Sequence, residues 1–278
     1  MPSPFPAVWG NSPRPPRVVT VRDHREEAEE NVPEFRKPRP LPRPQRWTLD
    51  VAASGTVESW HDPAKRLVDL LRTISTAIQE HYGESLSWRA SRGEPSVWSS
   101  SEELARLLSE IHKPQTGARG LVQGYLESAD TSLADVMWRA GSEDRVVDCT
   151  VRFNPRGGAR PLARYGHDWL VRLLGGAVVA ARAQVGRIVT SSWLDEDARR
   201  MVGDGPTAQL VPFWLGELTF VPTDAPAASL PDTLVAHPWP TPMGAGTVVA
   251  LADLTTTVTA PSEAVDAMLA VRPHVRAV

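Results

Sequence analysis

A chain of 278 residues, 41% of them hydrophobic and 23% charged, is long enough to bury a core of its own, and its single cysteine excludes an intramolecular disulfide. No apolar run reaches the ~18 residues that a membrane span needs: the nearest, Leu170 to Val185, is broken by Arg172, Gly175, Gly176, Arg182 and Gln184. The first 46 residues carry nine Lys/Arg and six Asp/Glu, leaving 21 against 27 in residues 47–278. That mildly acidic body argues against general nucleic-acid binding, which draws affinity from phosphate neutralisation, and suits a partner with a basic surface.

Eleven of the 26 prolines fall within residues 1–46, in runs such as Pro13-Arg14-Pro15-Pro16 and Lys37-Pro38-Arg39-Pro40. Alternating prolines enforce extended backbone and cannot build a core, so this stretch reads as a disordered Pro/Arg-rich extension ahead of a single domain spanning 47–278. Met1 to Gly10 has neither a basic n-region nor an apolar h-region, which makes the cytoplasm the expected compartment.

Trp47 to Val57 alternates weakly and reads as a first strand. A helix follows, with Asp62 as N-cap, Pro63 in the first turn, Leu67, Leu70, Leu71, Ile74 and Ile78 at helical spacing, and Gly83 as the stop. Short extended pieces at Leu86 to Ala90 and Val97 to Ser99 precede a second helix. Ser100 and Glu103 open that helix at capping-box spacing, and it buries Leu104, Leu107, Leu108 and Ile111 before Pro114. Strands are expected over Gly120 to Leu126, Leu133 to Arg139 and Arg145 to Phe153, and the short connection between the last two implies antiparallel neighbours.

A third helix over about His167 to Gln184 has a wide apolar stripe. Gly175 and Gly176 inside it each cost about 1 kcal/mol relative to Ala, which close packing of another backbone on that face would explain. Arg187 to Ser191, Gly216 to Val221, Thr233 to Ala236 and Thr247 to Leu251 read as strands, and Ser262 to Val271 as a last short helix. Without regular βαβ alternation or repeats, the class is α+β: a mixed, mainly antiparallel sheet packed by three to four helices.

No spacing of His, Cys, Asp, Glu or Ser forms a catalytic or metal-binding signature. Cys149 reads as a buried apolar residue. His167-Asp168 and His81 read as helix-terminal residues, and Asp195-Glu196-Asp197 as acids in a first helical turn, where the macrodipole favours them. Arg152, Arg156, Arg160 and Arg164 recur every fourth residue through a Gly/Pro-containing loop, the best case for an anion or nucleic-acid site, with a solvated basic loop as the plainer reading. Neither an enzyme activity, a cofactor nor a metal is expected, although titratable residues from distant segments converging into a divergent active site stay open.

The ten tryptophans outnumber the three tyrosines and five phenylalanines together. Trp138 and Trp169 fall on expected core faces. Trp60, Trp88, Trp98, Trp193, Trp214 and Trp239 lie near loops or strand ends, where an indole serves as an interface anchor. With Asp195, Glu196 and Asp197 they form the set of candidate partner contacts.

The element order from the Asp62 helix through Leu86-Ser87-Trp88, the Ser101 helix, Val136-Met137-Trp138-Arg139-Ala140-Gly141 and Val146-Val147-Asp148-Cys149-Thr150-Val151 resembles immunity protein family 52 of bacteria. The His167 helix, Arg187 to Ser191, Trp214 to Pro222 and Gly246-Thr247-Val248-Val249 are similar to that family's later elements, so the resemblance covers most of residues 60–275. It implies a non-enzymatic protein that binds and neutralises a cognate polymorphic toxin encoded nearby, often a nuclease, without contacting nucleic acid or a membrane itself.

Overall fold

The computed structural model describes residues 47–54, 59, 61–83, 88–89, 101–102, 104–106, 122–128, 134–142, 145–153, 162–202, 215–223 and 229–275. The Pro/Arg-rich stretch 1–46, the extended piece at 97–99, the loop 154–161 and most of the second expected helix lie outside them; 101–102 and 104–106 are helical.

Strand β1 (Trp47–Ser54) leads into helix α1 (His61–Tyr82). The short β2 (Trp88–Arg89) is followed by β3 (Val122–Ser128), β4 (Ala134–Ser142) and β5 (Arg145–Phe153). Helix α2 (His167–Ala181), β6 (Val185–Thr190), α3 (Ser191–Val202) and β7 (Leu218–Val221) come next. The chain continues through β8 (Leu234–Pro238), β9 (Thr247–Leu251), the single turn α4 (Thr256–Thr259) and α5 (Pro261–Leu269).

The strands form one sheet in the order β2-β3-β4-β5-β1-β6-β7-β9-β8. The α+β class stands, with two refinements. Every pairing between the described strands is antiparallel, so the sheet is not mixed. The described residues also hold more helices than the three to four expected: α3 stands where only a first turn at Asp195-Glu196-Asp197 was read, and α4 is the threonine-rich Thr256-Thr257-Val258-Thr259, of low intrinsic helix propensity.

The weakly alternating first segment is the middle of the sheet. β1 pairs with β5 on one side and β6 on the other, and Trp47, Leu49, Asp50, Val51, Ala52 and Ala53 are all buried. A strand covered on both faces loses the in/out alternation that marks a half-exposed one.

Residues opposite each other in antiparallel register share a face. The register therefore aligns Leu49 and Val51 of β1 with Ile188 and Gly186 of β6, Leu218 and Phe220 of β7, and Ala250 and Val248 of β9. Helix α2 lies over this face: a Cβ on Gly186 would meet Val178 and Leu174 of α2 as well as Val51. Helix α1 packs beside α2 with its expected stripe, Leu67, Leu70, Leu71, Ile74 and Ile78, buried.

Asp62 does not cap α1, which starts one residue earlier. Its carboxylate instead receives Arg66 one turn on, at 2.7 Å, and Arg182, at 3.6 Å. Arg182 closes α2 in the left-handed region (φ 48°), where glycine is the usual residue, and its N–H donates to Val179 O.

The glycines of α2 do mark close packing, but against side chains rather than backbone. A Cβ on Gly175 would lie 2.2 Å from Cε2 of Trp239, and one on Gly176 would lie 3.0 Å from the Thr73 methyl of α1. Gly175→Ala should displace the Trp239 indole and cost about 1–3 kcal/mol, measured by urea denaturation, whereas Gly176→Ala should cost less because a methyl can yield.

Candidate functional site

Six of the nine candidate partner contacts fall on described residues, on β2, on α3 and just after β8. Trp60, Trp98 and Trp214 lie outside the described residues, and Trp88 stands on the edge strand β2. Trp239 is half-buried against Gly175. Trp193, Asp195, Glu196 and Asp197 share helix α3, and there two expectations need correction.

Trp193 is fully buried and belongs to the core, so it is not an exposed anchor. Glu196 is buried too: it accepts a 2.7 Å hydrogen bond from the Ser262 hydroxyl at the start of α5, where a carboxylate also meets the positive end of that helix. Nor does the acidic triplet sit in a first turn. Helix α3 begins at Ser191, directly after β6, which puts Asp195 in the second turn. Among residues 191–196, the part of α3 whose side chains are described, Asp195 and its neighbour Leu194 are exposed, Leu194 to 40%.

The basic loop is only partly described. Arg152 is exposed on β5, opposite Asp135 of β4 and Thr48 of β1, and Arg164 is exposed on a 3-10 turn (Leu162–Tyr165). Arg156 and Arg160 lie outside the described residues. Cys149 is buried on β5, as its residue type suggested. His167 and Asp168 open α2, in the helix-terminal position expected of them.

His167 and Asp168 also face His237 of β8. Burial, then the neighbouring His167, holds the His237 imidazole below its usual range, against the opposing pull of Asp168. Asp253, after β9, is held below the ordinary carboxylate range by hydrogen bonds from the hydroxyl and N–H of Thr255. Among the described residues no three His, Cys, Asp or Glu side chains gather as a metal-holding group, and no helix is long and apolar enough to cross a membrane.

Two buried polar constellations escaped the sequence reading. In the first, Arg187 of β6 lies opposite Asp50 of β1, and its Nε donates to Asp50 Oδ2 at 2.8 Å while Nη1 donates to Leu215 O at 3.2 Å. In the second, Glu217 just before β7 is completely buried. The Thr190 N–H donates to both of its oxygens, at 3.0 and 3.2 Å, and the Thr190 hydroxyl pairs with Oε1. The signal was a charge inside an apolar run, in Leu49-Asp50-Val51, Arg187-Ile188-Val189 and Glu217-Leu218; only register could say which charges meet.

Burial pushes the Glu217 carboxyl up from 4.5 to about 7, against hydrogen bonds from Thr190 that lower it. The folded state therefore keeps a proton that the unfolded chain releases. The sign is the reverse of the usual carboxylate: the contribution is most favourable below about pH 4.5, falls as the pH rises towards 7, and then levels off. Stability to urea should drop by about 3 kcal/mol from this group across that window, and Glu217→Gln should remove this component of the profile.

No protein-family model matches the chain, and no curated protein does. Among solved structures, the chain is similar to the Pseudomonas aeruginosa T6SS protein PA0821 at 11% identity and a TM-score of 0.38, a match covering 81% of this chain and 72% of that one. At that score the likeness assigns neither a family nor an activity.

Proposed function

We propose that the protein is an immunity protein: a non-catalytic, cytoplasmic binder that neutralises a cognate bacterial toxin, a nuclease, by stoichiometric occlusion of its active site. The observation that carries the reading is charge. The body of the chain holds 21 Lys/Arg against 27 Asp/Glu, a balance suited to a nuclease with a basic, phosphate-binding face. The resemblance in element order to immunity protein family 52 supports the same reading.

On the described surface, Leu194 and Asp195 of α3 offer an apolar contact beside an acid. Acids would speed encounter with a basic toxin, and apolar contact would slow release. Asp197 and the tryptophans at 60, 88, 98, 214 and 239 remain proposed contacts; Trp193 and Glu196 do not.

Co-expression with the product of the adjacent open reading frame tests the proposal. Rescue of growth, together with a complex that survives purification, is the expected result. A harmless or unaffected neighbour would overturn it, and RNA binding with a steep salt dependence would favour a nucleic-acid module centred on Arg152 to Arg164 instead.

A further inference from the structure

Helix α3 starts without any connecting loop, since Thr190 ends β6 and Ser191 begins the helix. Its first N–H groups need acceptors from outside the helix. Thr190 supplies one: its hydroxyl oxygen accepts the Trp193 N–H at 3.3 Å, the bond an N-cap residue makes to the third helical residue. In a local capping box that third residue would be Glu or Gln and would reach back to the N-cap N–H. Here it is the buried Trp193, and the returning carboxylate is Glu217, from 27 residues further along the chain.

Glu217 is thereby tied to four elements. Its side chain holds the β6–α3 junction, it leads directly into β7, and its carbonyl accepts the N–H of Leu251 in β9 at 3.0 Å. The hydroxyl of the buried Thr257 in α4 acts on the same carboxyl and, among the described residues, has no hydrogen bond of regular geometry.

The described charged groups on the elements around it are engaged elsewhere or exposed; the side chains of Asp197, Arg199 and Arg200 of α3 lie outside the description. Arg187 of β6 bonds Asp50 and Leu215 O, Glu196 of α3 bonds Ser262, Asp253 bonds Thr255, and Asp195 of α3 and Glu263 and Asp266 of α5 are exposed. Among the described residues no ion pair involves Glu217, and the described partners of its carboxylate are hydrogen-bond donors. Such a charge is costly to bury.

We propose that Glu217 is a protonation-controlled latch on helix α3: neutral, it holds Thr190 and the helix start closed; ionised, it favours an opened junction in which the carboxylate reaches water. The burial that raises its carboxyl to about 7 places the transition near neutrality. The segment released would be the one presenting Leu194 and Asp195. The latch is a property of the isolated protein and does not depend on the toxin reading.

Hydrogen exchange of the full-length protein, read over residues 190–202 and corrected for the intrinsic pH dependence of exchange, tests it. Between about pH 6 and about pH 8.5 the opening of this segment should increase on the order of tenfold in the wild type and stay level in Glu217→Gln. An equal response in the variant, no response in the wild type, or exchange of 190–202 no faster than that of α2 would each overturn the latch. The carbon-13 shift of the Glu217 carboxyl in the wild type decides independently if the variant does not fold: titration near neutrality is expected, and titration in the ordinary range near 4.5 would overturn the proposal.

Discussion

Arg187→Met, with Asp50 left in place, should lower the stability of the fold by about 3–5 kcal/mol. Both partners are buried in adjacent strands at the middle of the sheet, opposite each other in register and joined at 2.8 Å. Removing the guanidinium strands an uncompensated carboxylate and also leaves Leu215 O without the donor it has in Arg187 Nη1.

The pair as a whole need not contribute as much as its rupture costs, because two charges were taken out of water to form it. Adding Asp50→Leu to Arg187→Met should therefore restore much of the loss. Urea denaturation of the two single variants and the double variant separates the cases. A single variant within about 1 kcal/mol of wild type would show that water or another group reaches Asp50 and that the pair is not sealed as the geometry indicates.

Trp47→Ala should cost a similar amount, about 3–5 kcal/mol, for a different reason. The Trp47 indole stacks on Phe153 of β5 with centroids 3.9 Å apart and planes 11° apart. It meets Tyr165 and Trp169 edge-on at 5.3 and 6.3 Å. His81, in the last turn of α1, lies against Tyr165 and Trp169. The cluster thus joins β1, β5, the 3-10 turn, α1 and α2, and a cavity at Trp47 withdraws contact from several elements at once.

Trp47→Phe should lose much less. The Trp47 N–H is buried and has no hydrogen-bond partner among the described residues, so phenylalanine removes an unsatisfied donor along with part of the ring. Chemical denaturation of both variants tests the argument; equal losses would show that the indole N–H is satisfied after all.

Helix α1 was legible because Leu67, Leu70, Leu71, Ile74 and Ile78 repeat at helical spacing over about three turns, and such a pattern has one good solution. The strands β3 to β9 were legible within a few residues, since apolar β-branched runs bounded by turn residues carry their own signal. The close packing of Gly175 was anticipated from its helix penalty, though its occupant, Trp239, was not.

The interface residues fared differently. An indole or carboxylate near a predicted strand end looks the same in sequence whether it turns outwards or inwards. For Trp193 and Glu196 the direction follows from where α3 begins, and that is set by Thr190, Glu217 and the contact with Ser262.

What the sequence determined by itself is what local chemistry can dictate: an acidic body after a proline-rich stretch, the α+β class, the long amphipathic helix and the burial of Cys149. The tertiary structure alone decided that β1 is the centre of the sheet, that Asp50 meets Arg187, and that Glu217 caps a helix beginning 26 residues before it. Those outcomes rest on register and on long-range burial. A single-residue slip in register would carry Asp50 or Arg187 to the other face, and no local propensity encodes that choice.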